Sequence, residues 1–164
     1  MTFNLRLISK RDIVLMLIIL ILDQATKQWI VSNFKEFDSL TITSFFNVVR
    51  VHNPGAAFSF LANAGGWQHY FFIGLAVVVC SYLLWEMSNI TDTNNRCLRL
   101  SYSLVISGAV GNVIDRIRFK YVIDFLDFHF ASIHWPAFNV ADSAICIGAV
   151  LMVWNEVIKV KTAK

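Results

Sequence analysis

Between Gly108 and Ser143 the chain sets Asn112, Asp115, Arg116, Asp124, Asn139 and Asp142 among very apolar flanks. A carboxylate in such surroundings costs about 2.5–3.5 kcal/mol at the centre of a lipid-facing helix, so a cluster of them calls for a chemical reason. Two carboxylates brought together do not both ionise easily. One keeps its proton while the other, as base, activates water for attack on a carbonyl. Asp124 and Asp142 are the candidate pair, and the chemistry they suit is peptide hydrolysis without a metal. Their spacing alone does not establish contact, because carboxylates near helix ends also act as caps or solvated groups.

Around this pair stand residues suited to holding it. Asn112, Asp115 and Arg116 fall at i, i+3 and i+4, on one helix face together with Gly108. Asp115 and Arg116 read as a structural ion pair or as a bridge to Asp23 and Lys27, which share a face at i, i+4 in the favourable order. Asn139, three residues before Asp142, is placed to orient it by hydrogen bond or to cap the helix. Asn53, delivered by the Asn53-Pro-Gly turn, is placed to reach the same site from an outer loop.

The elements that position these residues follow from the apolar runs. Of 164 residues, 57% are hydrophobic and only 15% charged, and the mean hydropathy is +0.59. These values belong to an integral membrane protein, not to a soluble domain that must cover its core with polar groups. The expected architecture is an all-α membrane protein: one domain over 1–164 with four transmembrane helices at about 12–31, 67–87, 98–117 and 138–158, and a small extramembrane β element at about 40–60 between helices 1 and 2. The basic and apolar start of the first helix resembles a signal peptide, but no convincing cleavage site follows and apolar character resumes after Asp23, so a retained helix is expected. Trp67, Tyr70, Phe71 and Phe72 at one end of the second span, with Tyr82 and Trp85 at the other, suit the two interfaces.

Arg6, Lys10, Arg11, Arg96, Arg99, Lys159, Lys161 and Lys164 share one side in this topology, and they are eight of the fourteen basic residues. The positive-inside rule then puts both termini in the cytoplasm and the 32–67 and 118–137 excursions outside. The net charge of +3 is topological, and no nucleic-acid partner is expected. The three cysteines show no ligand-like spacing, and Cys97 is placed in a connecting loop. The histidines do not face one another inside the bundle, so no metal, haem or other cofactor is expected. Ser59 and Ser143 lack a paired histidine in register for a serine triad. A small transporter or proton-linked channel, with Asp23, Lys27, Asp115 and Arg116 as a relay, is the rival reading. It would want those charges near the midplane on broken helices.

Five motifs taken in order, Asp23-Gln-Ala-Thr-Lys27, Asn53-Pro-Gly-Ala-Ala-Phe58, Gly108-Ala-Val-Gly-Asn-Val-Ile-Asp-Arg116, Val122-Ile-Asp-Phe125 and Phe138-Asn-Val-Ala-Asp-Ser143, span nearly the whole chain. Together they resemble the bacterial lipoprotein signal peptidase family, signal peptidase II. The resemblance implies an aspartic endopeptidase of the bacterial cytoplasmic (inner) membrane. Its substrates would be lipid-modified prolipoproteins, from which it would remove the signal peptide by cutting just before the diacylglyceryl-modified cysteine. It implies Asp124 and Asp142 as the catalytic pair. It also implies that Asn53, Gly55, Gly108, Asn112, Asp115, Arg116, Asn139 and Ala141 line or support the site, with Asp23 and Lys27 bracing it from the first helix. The segment 40–60 would correspond to the family's β-cradle on the outer membrane surface. The other partner expected is membrane lipid, and a monomer is expected. Asp142, taken as the more embedded carboxylate, is expected to hold the proton at rest.

Overall fold

The computed structural model describes residues 8–55, 65–90 and 95–162, with the side chains of the last four excepted. Among them are four long helices, α1 (Lys10–Asn33), α2 (Gln68–Asn89), α3 (Arg96–Phe119) and α4 (Val140–Thr162). All four are long and apolar enough to cross a membrane, as expected, and the chain is a multi-pass membrane protein. Ile13, Leu17, Ile21 and Trp29 on α1, and Ile147, Val150, Val153 and Trp154 on α4, are exposed, which is what a lipid-facing surface requires.

The helices begin and end where local chemistry dictates. Ser9 caps α1 in a reciprocal box with Asp12, satisfying amides that the first turn leaves without partners. Asp12 also takes the guanidinium of Arg99, tying the start of α1 to the start of α3. Cys97, expected in a loop, lies in the first turn of α3. At the other end of α1, Arg50 Nη1 donates to the carbonyls of Val31 and Phe34.

α3 is the central helix and packs against the other three, while α1 also meets α4. One apolar cluster joins the end of α2 to the start of α3 through Leu83, Met87, Leu98, Tyr102 and Ile106. A second, at the opposite end, joins Ile30 of α1 to Ile123 and Phe125.

The expected β element between the first two helices is present as β1 (Ser39–Thr43) and β2 (Phe46–Asn53), paired antiparallel. The excursion between α3 and α4, read from sequence as a plain loop, adds β3 (Val122–Phe130) and β4 (Ile133–His134), so that one antiparallel sheet runs β1-β2-β3-β4. α3 stops at Lys120, which adopts a left-handed backbone with φ of 68° and turns the chain into β3. A shift in register between Val48 and Val51 leaves Val51 opposite Asp124 and Asn53 opposite Val122. The segment 56–64, expected as part of the cradle and as a short interfacial stretch, lies outside the described residues, as does 91–94.

Candidate active site

Asp124 comes from β3 and Asp142 from the first turn of α4. Asn139, the residue before α4, joins them. Its Nδ2 donates to Asp124 Oδ1 at 2.7 Å, its Oδ1 accepts the Asp142 backbone N–H at 2.9 Å, and its own backbone N–H donates to Asp142 Oδ2 at 3.3 Å. The two alternatives left open for Asn139 are therefore both realised: it caps the helix and orients the carboxylates. The remaining oxygens are held as well. Asn53 Nδ2 donates to Asp124 Oδ2 at 3.0 Å, and Asn112 Nδ2 donates to Asp142 Oδ1 at 2.8 Å.

The burial of the pair runs opposite to the sequence expectation. Asp124 is 2% exposed, whereas Asp142 is only partly buried. Burial, and then the neighbouring charge of Asp142, push the Asp124 carboxyl up to about 7 against the bonds from Asn53 and Asn139. Asp142 sits at a helix N-terminus, where amides and the helix dipole favour an anion.

Beneath the pair lies a buried ionic frame. Lys27 Nζ reaches Asp23 at 3.0 Å, Asp115 at 2.9 Å and Asn112 Oδ1 at 3.0 Å, so each ammonium proton has an acceptor. The bridge reading of Asp115 is the observed one. The other Asp23 oxygen accepts the Ala141 N–H at 2.9 Å, and Asp115 Oδ2 accepts the Ile123 N–H at 3.2 Å. Helices α1 and α3 thereby fix the starts of both α4 and β3. Gly111 permits this approach, because a Cβ there would lie 2.5 Å from Asp23 Oδ2. Gly108 is equally close to the Ala141 carbonyl and Ile145 of α4. Arg116 turns elsewhere: Nη2 donates to the Gly55 carbonyl at 2.7 Å, and the guanidinium lies over the Phe72 ring. Gly55 in turn donates its N–H to Asn53 Oδ1 at 3.0 Å.

The residues expected to form or support the site thus fall in one connected assembly. Gln24 was missed, although its Nε2 donates to Asp23, to the Gly111 carbonyl and to Asp115. It stands inside the Asp23–Lys27 motif, and a side-chain amide between two ionic positions of an apolar run was the available signal. Three of the four charges of the rival transporter reading are locked in this frame, with Asp23, Lys27 and Asp115 satisfied by one another and by backbone amides, and the fourth, Arg116, is held by the Gly55 carbonyl.

The family described as signal peptidase (SPase) II matches residues 15–158. The lipoprotein signal peptidase of Cupriavidus necator is 50% identical over 145 residues, covering 88% of this chain and 82% of the relative. That of Pseudoalteromonas atlantica is 48% identical over 139 residues, covering 85% and 84%. A bacterial membrane enzyme solved by the in meso method at 2.3 Å resolution superposes with a TM-score of 0.84 at 29% identity, covering 94% of this chain and 92% of the other.

Proposed function

Because the chain belongs to the signal peptidase II family and is therefore a membrane protease that acts as a lipoprotein signal peptidase, we propose that Asp124 and Asp142 are its catalytic pair. The substrates are diacylglyceryl-modified prolipoproteins, cut before the lipidated cysteine. The observation that carries the reading is that Asn139 contacts both carboxylates, the buried Asp124 through its side-chain amide and Asp142, at a helix N-terminus, through its backbone N–H. Such a pair divides one proton unequally.

In the resting pair Asp124 is protonated and Asp142 is the anion. Asp142 takes a proton from a water molecule whose oxygen bonds to the scissile carbonyl carbon. Asp124 meanwhile delivers its proton to the carbonyl oxygen, giving a neutral gem-diol. Collapse returns a gem-diol proton to Asp124, and Asp142 passes its newly acquired proton to the departing nitrogen, which becomes the new amino terminus. The pair ends as it began, and no cofactor takes part.

The whole of 1–164 works as one membrane domain. It acts as a monomer in the bacterial inner membrane, with both termini cytoplasmic and the Asp124–Asp142 site toward the outer face. Positive-inside counting supports that orientation. A lipidated precursor held in the outer leaflet brings its scissile bond to this depth, and membrane lipid is the other expected partner.

The test is cleavage of lipidated and non-lipidated precursors side by side in detergent. Asp124→Asn and Asp142→Asn are each expected to lose about 100-fold to 10,000-fold in rate while remaining folded and able to bind the lipidated precursor. Full activity in either variant overturns the pair. Equal cleavage of the non-lipidated precursor by the unaltered protein overturns the substrate class.

A further inference from the structure

A signal peptide whose scissile bond sits at Asp124 and Asp142 keeps its apolar helix in the membrane, so one flank of the bundle must carry that helix away from the site. Going round α3, Gly111 faces Asp23 of α1, Gly108 faces Ala141 of α4, and Arg116 faces Phe72 of α2. α1 and α4 meet each other, whereas α2 is held by α3 and hardly touches either. The bundle is therefore open between α2 and α4, with α3 as the floor.

Seven residues make nearly two helical turns, so positions seven apart fall close to one line along a helix. On α2 such a line runs Phe72, Val79, Glu86, and on α4 it runs Asp142, Ala149, Glu156. Arg116 and Tyr102 stand on the matching line of α3. Each line starts at the site, and each is fourteen residues long, about 21 Å. The two that flank the opening are apolar in the middle and end in a carboxylate.

Tyr102 shows that these far ends converge. It is 7% exposed, and no hydrogen bond among the described residues reaches its hydroxyl. The ionisable groups that bear on that hydroxyl are Glu86, Tyr82 and Glu156, which brings a carboxylate of α2 and one of α4 to the same phenol. Glu86 is half-buried and has neither a hydrogen bond nor an ion pair among the described residues. An anion and an unused hydroxyl at the end of an apolar lane call for a cationic donor. A signal peptide has the complementary order: a positively charged n-region, then about 7–15 apolar residues, then the cleavage site.

We infer that Glu86 and Glu156 bind the basic n-region of the precursor, with its apolar helix lying along the flank between α2 and α4. The inference rests on the substrate class proposed above and deepens it. Selection at the lipidated cysteine is joined by selection for positive charge about 21 Å away.

Three lipidated precursors that differ only in two n-region residues, both Lys, both Gln or both Glu, provide the test in neutral detergent. The unaltered protein is expected to favour Lys over Gln by about fivefold in kcat/KM, and Lys over Glu by more, with the difference in KM. Glu86→Gln combined with Glu156→Gln is expected to bring the three within about twofold at unchanged kcat, and Glu86→Lys combined with Glu156→Lys to reverse their order. Seven leucines added to the apolar segment carry the n-region about 10 Å past the two carboxylates, and the preference is then expected to vanish. No preference in the unaltered protein, a preference that survives the double Gln variant, or the same preference with the lengthened segment each overturns the assignment. Failure of the substrate class would show instead as equal cleavage of the non-lipidated precursor, and failure of the catalytic pair as activity in Asp124→Asn, whatever the n-region.

Discussion

The side-chain amide of Asn139 lies 2.7 Å from Oδ1 of Asp124, and the same residue caps the helix that carries Asp142. One residue therefore meets two carboxylates from different elements, Asp124 through its amide and Asp142 through its backbone N–H. Asn139→Ala is expected to lose about 1 kcal/mol of helix capping and, with the Asp124 carboxyl freed from its shortest bond and the first turn of α4 loosened, about 100-fold in activity. Asn139→Asp keeps a capping oxygen but removes the donor and adds a charge beside Asp124. Thermal unfolding is then expected to stay near that of the unaltered protein while cleavage falls at least as far as in Asn139→Ala. Retained cleavage in Asn139→Asp would reduce Asn139 to a cap.

The pH dependence follows from the same pair. With Asp124 pushed up to about 7 by burial and by Asp142, kcat/KM is expected to fall above about pH 7, roughly tenfold per pH unit, as the pair loses its shared proton. Asn53→Ala removes a bond that favours the charged form, so the falling limb is expected to move to higher pH. In stability the sign is that of a carboxyl held above its unfolded value of 3.8. The protonated form contributes most at low pH, and that contribution is lost as pH rises toward 7. Tm measured against Asp124→Asn is therefore expected to decline between about pH 4 and 7.

The spans were legible because four long and mostly apolar runs leave no other solution at this length. The actual helices differ from them by one to four residues at the ends. The Asp23–Lys27 pair and the role of Asn139 followed from spacings of four and three, which fix neighbours on a helix whatever the rest of the fold does. β3 was not legible. Val122-Ile-Asp-Phe-Leu-Asp is buried on both faces, so it lacks the alternation that marks a half-exposed strand, and its partner β2 lies about seventy residues away. Missing β3 also reversed the expected burial of the pair. Asp124 in a loop reads as the more hydrated carboxylate, whereas Asp124 in a covered strand is the drier one.

The ionic frame gives a stability prediction that is separable from catalysis. Lys27 and both of its carboxylate partners are at most 2% exposed. Lys27→Met leaves Asp23 and Asp115 buried without their cation, a loss of about 3–5 kcal/mol. Adding Asp23→Asn and Asp115→Asn removes the unpaired charges and is expected to restore part of the lost Tm in detergent. If the triple variant is no more stable than Lys27→Met, Lys27 acts through packing and not through charge.

Gly108 tests whether the approach of α3 to α4 matters for the site itself. A Cβ on this residue would press on the Ala141 carbonyl and come within 2.8 Å of Ile145, and neither backbone nor a packed branched side chain yields easily. The first turn of α4 must then move away from α3, carrying Asp142 away from the Asn112 amide that holds it at 2.8 Å. Gly108→Ala is expected to cost about 1–3 kcal/mol of stability and, because catalytic geometry tolerates little displacement, up to about 100-fold in kcat. Gly74→Ala is the matched control. Nothing lies within 4 Å of a Cβ there, so the change is expected to leave cleavage intact and to stabilise α2 by about 0.5–1 kcal/mol through helix propensity. Equal kcat in the two variants would separate the α3–α4 contact from the positioning of Asp142.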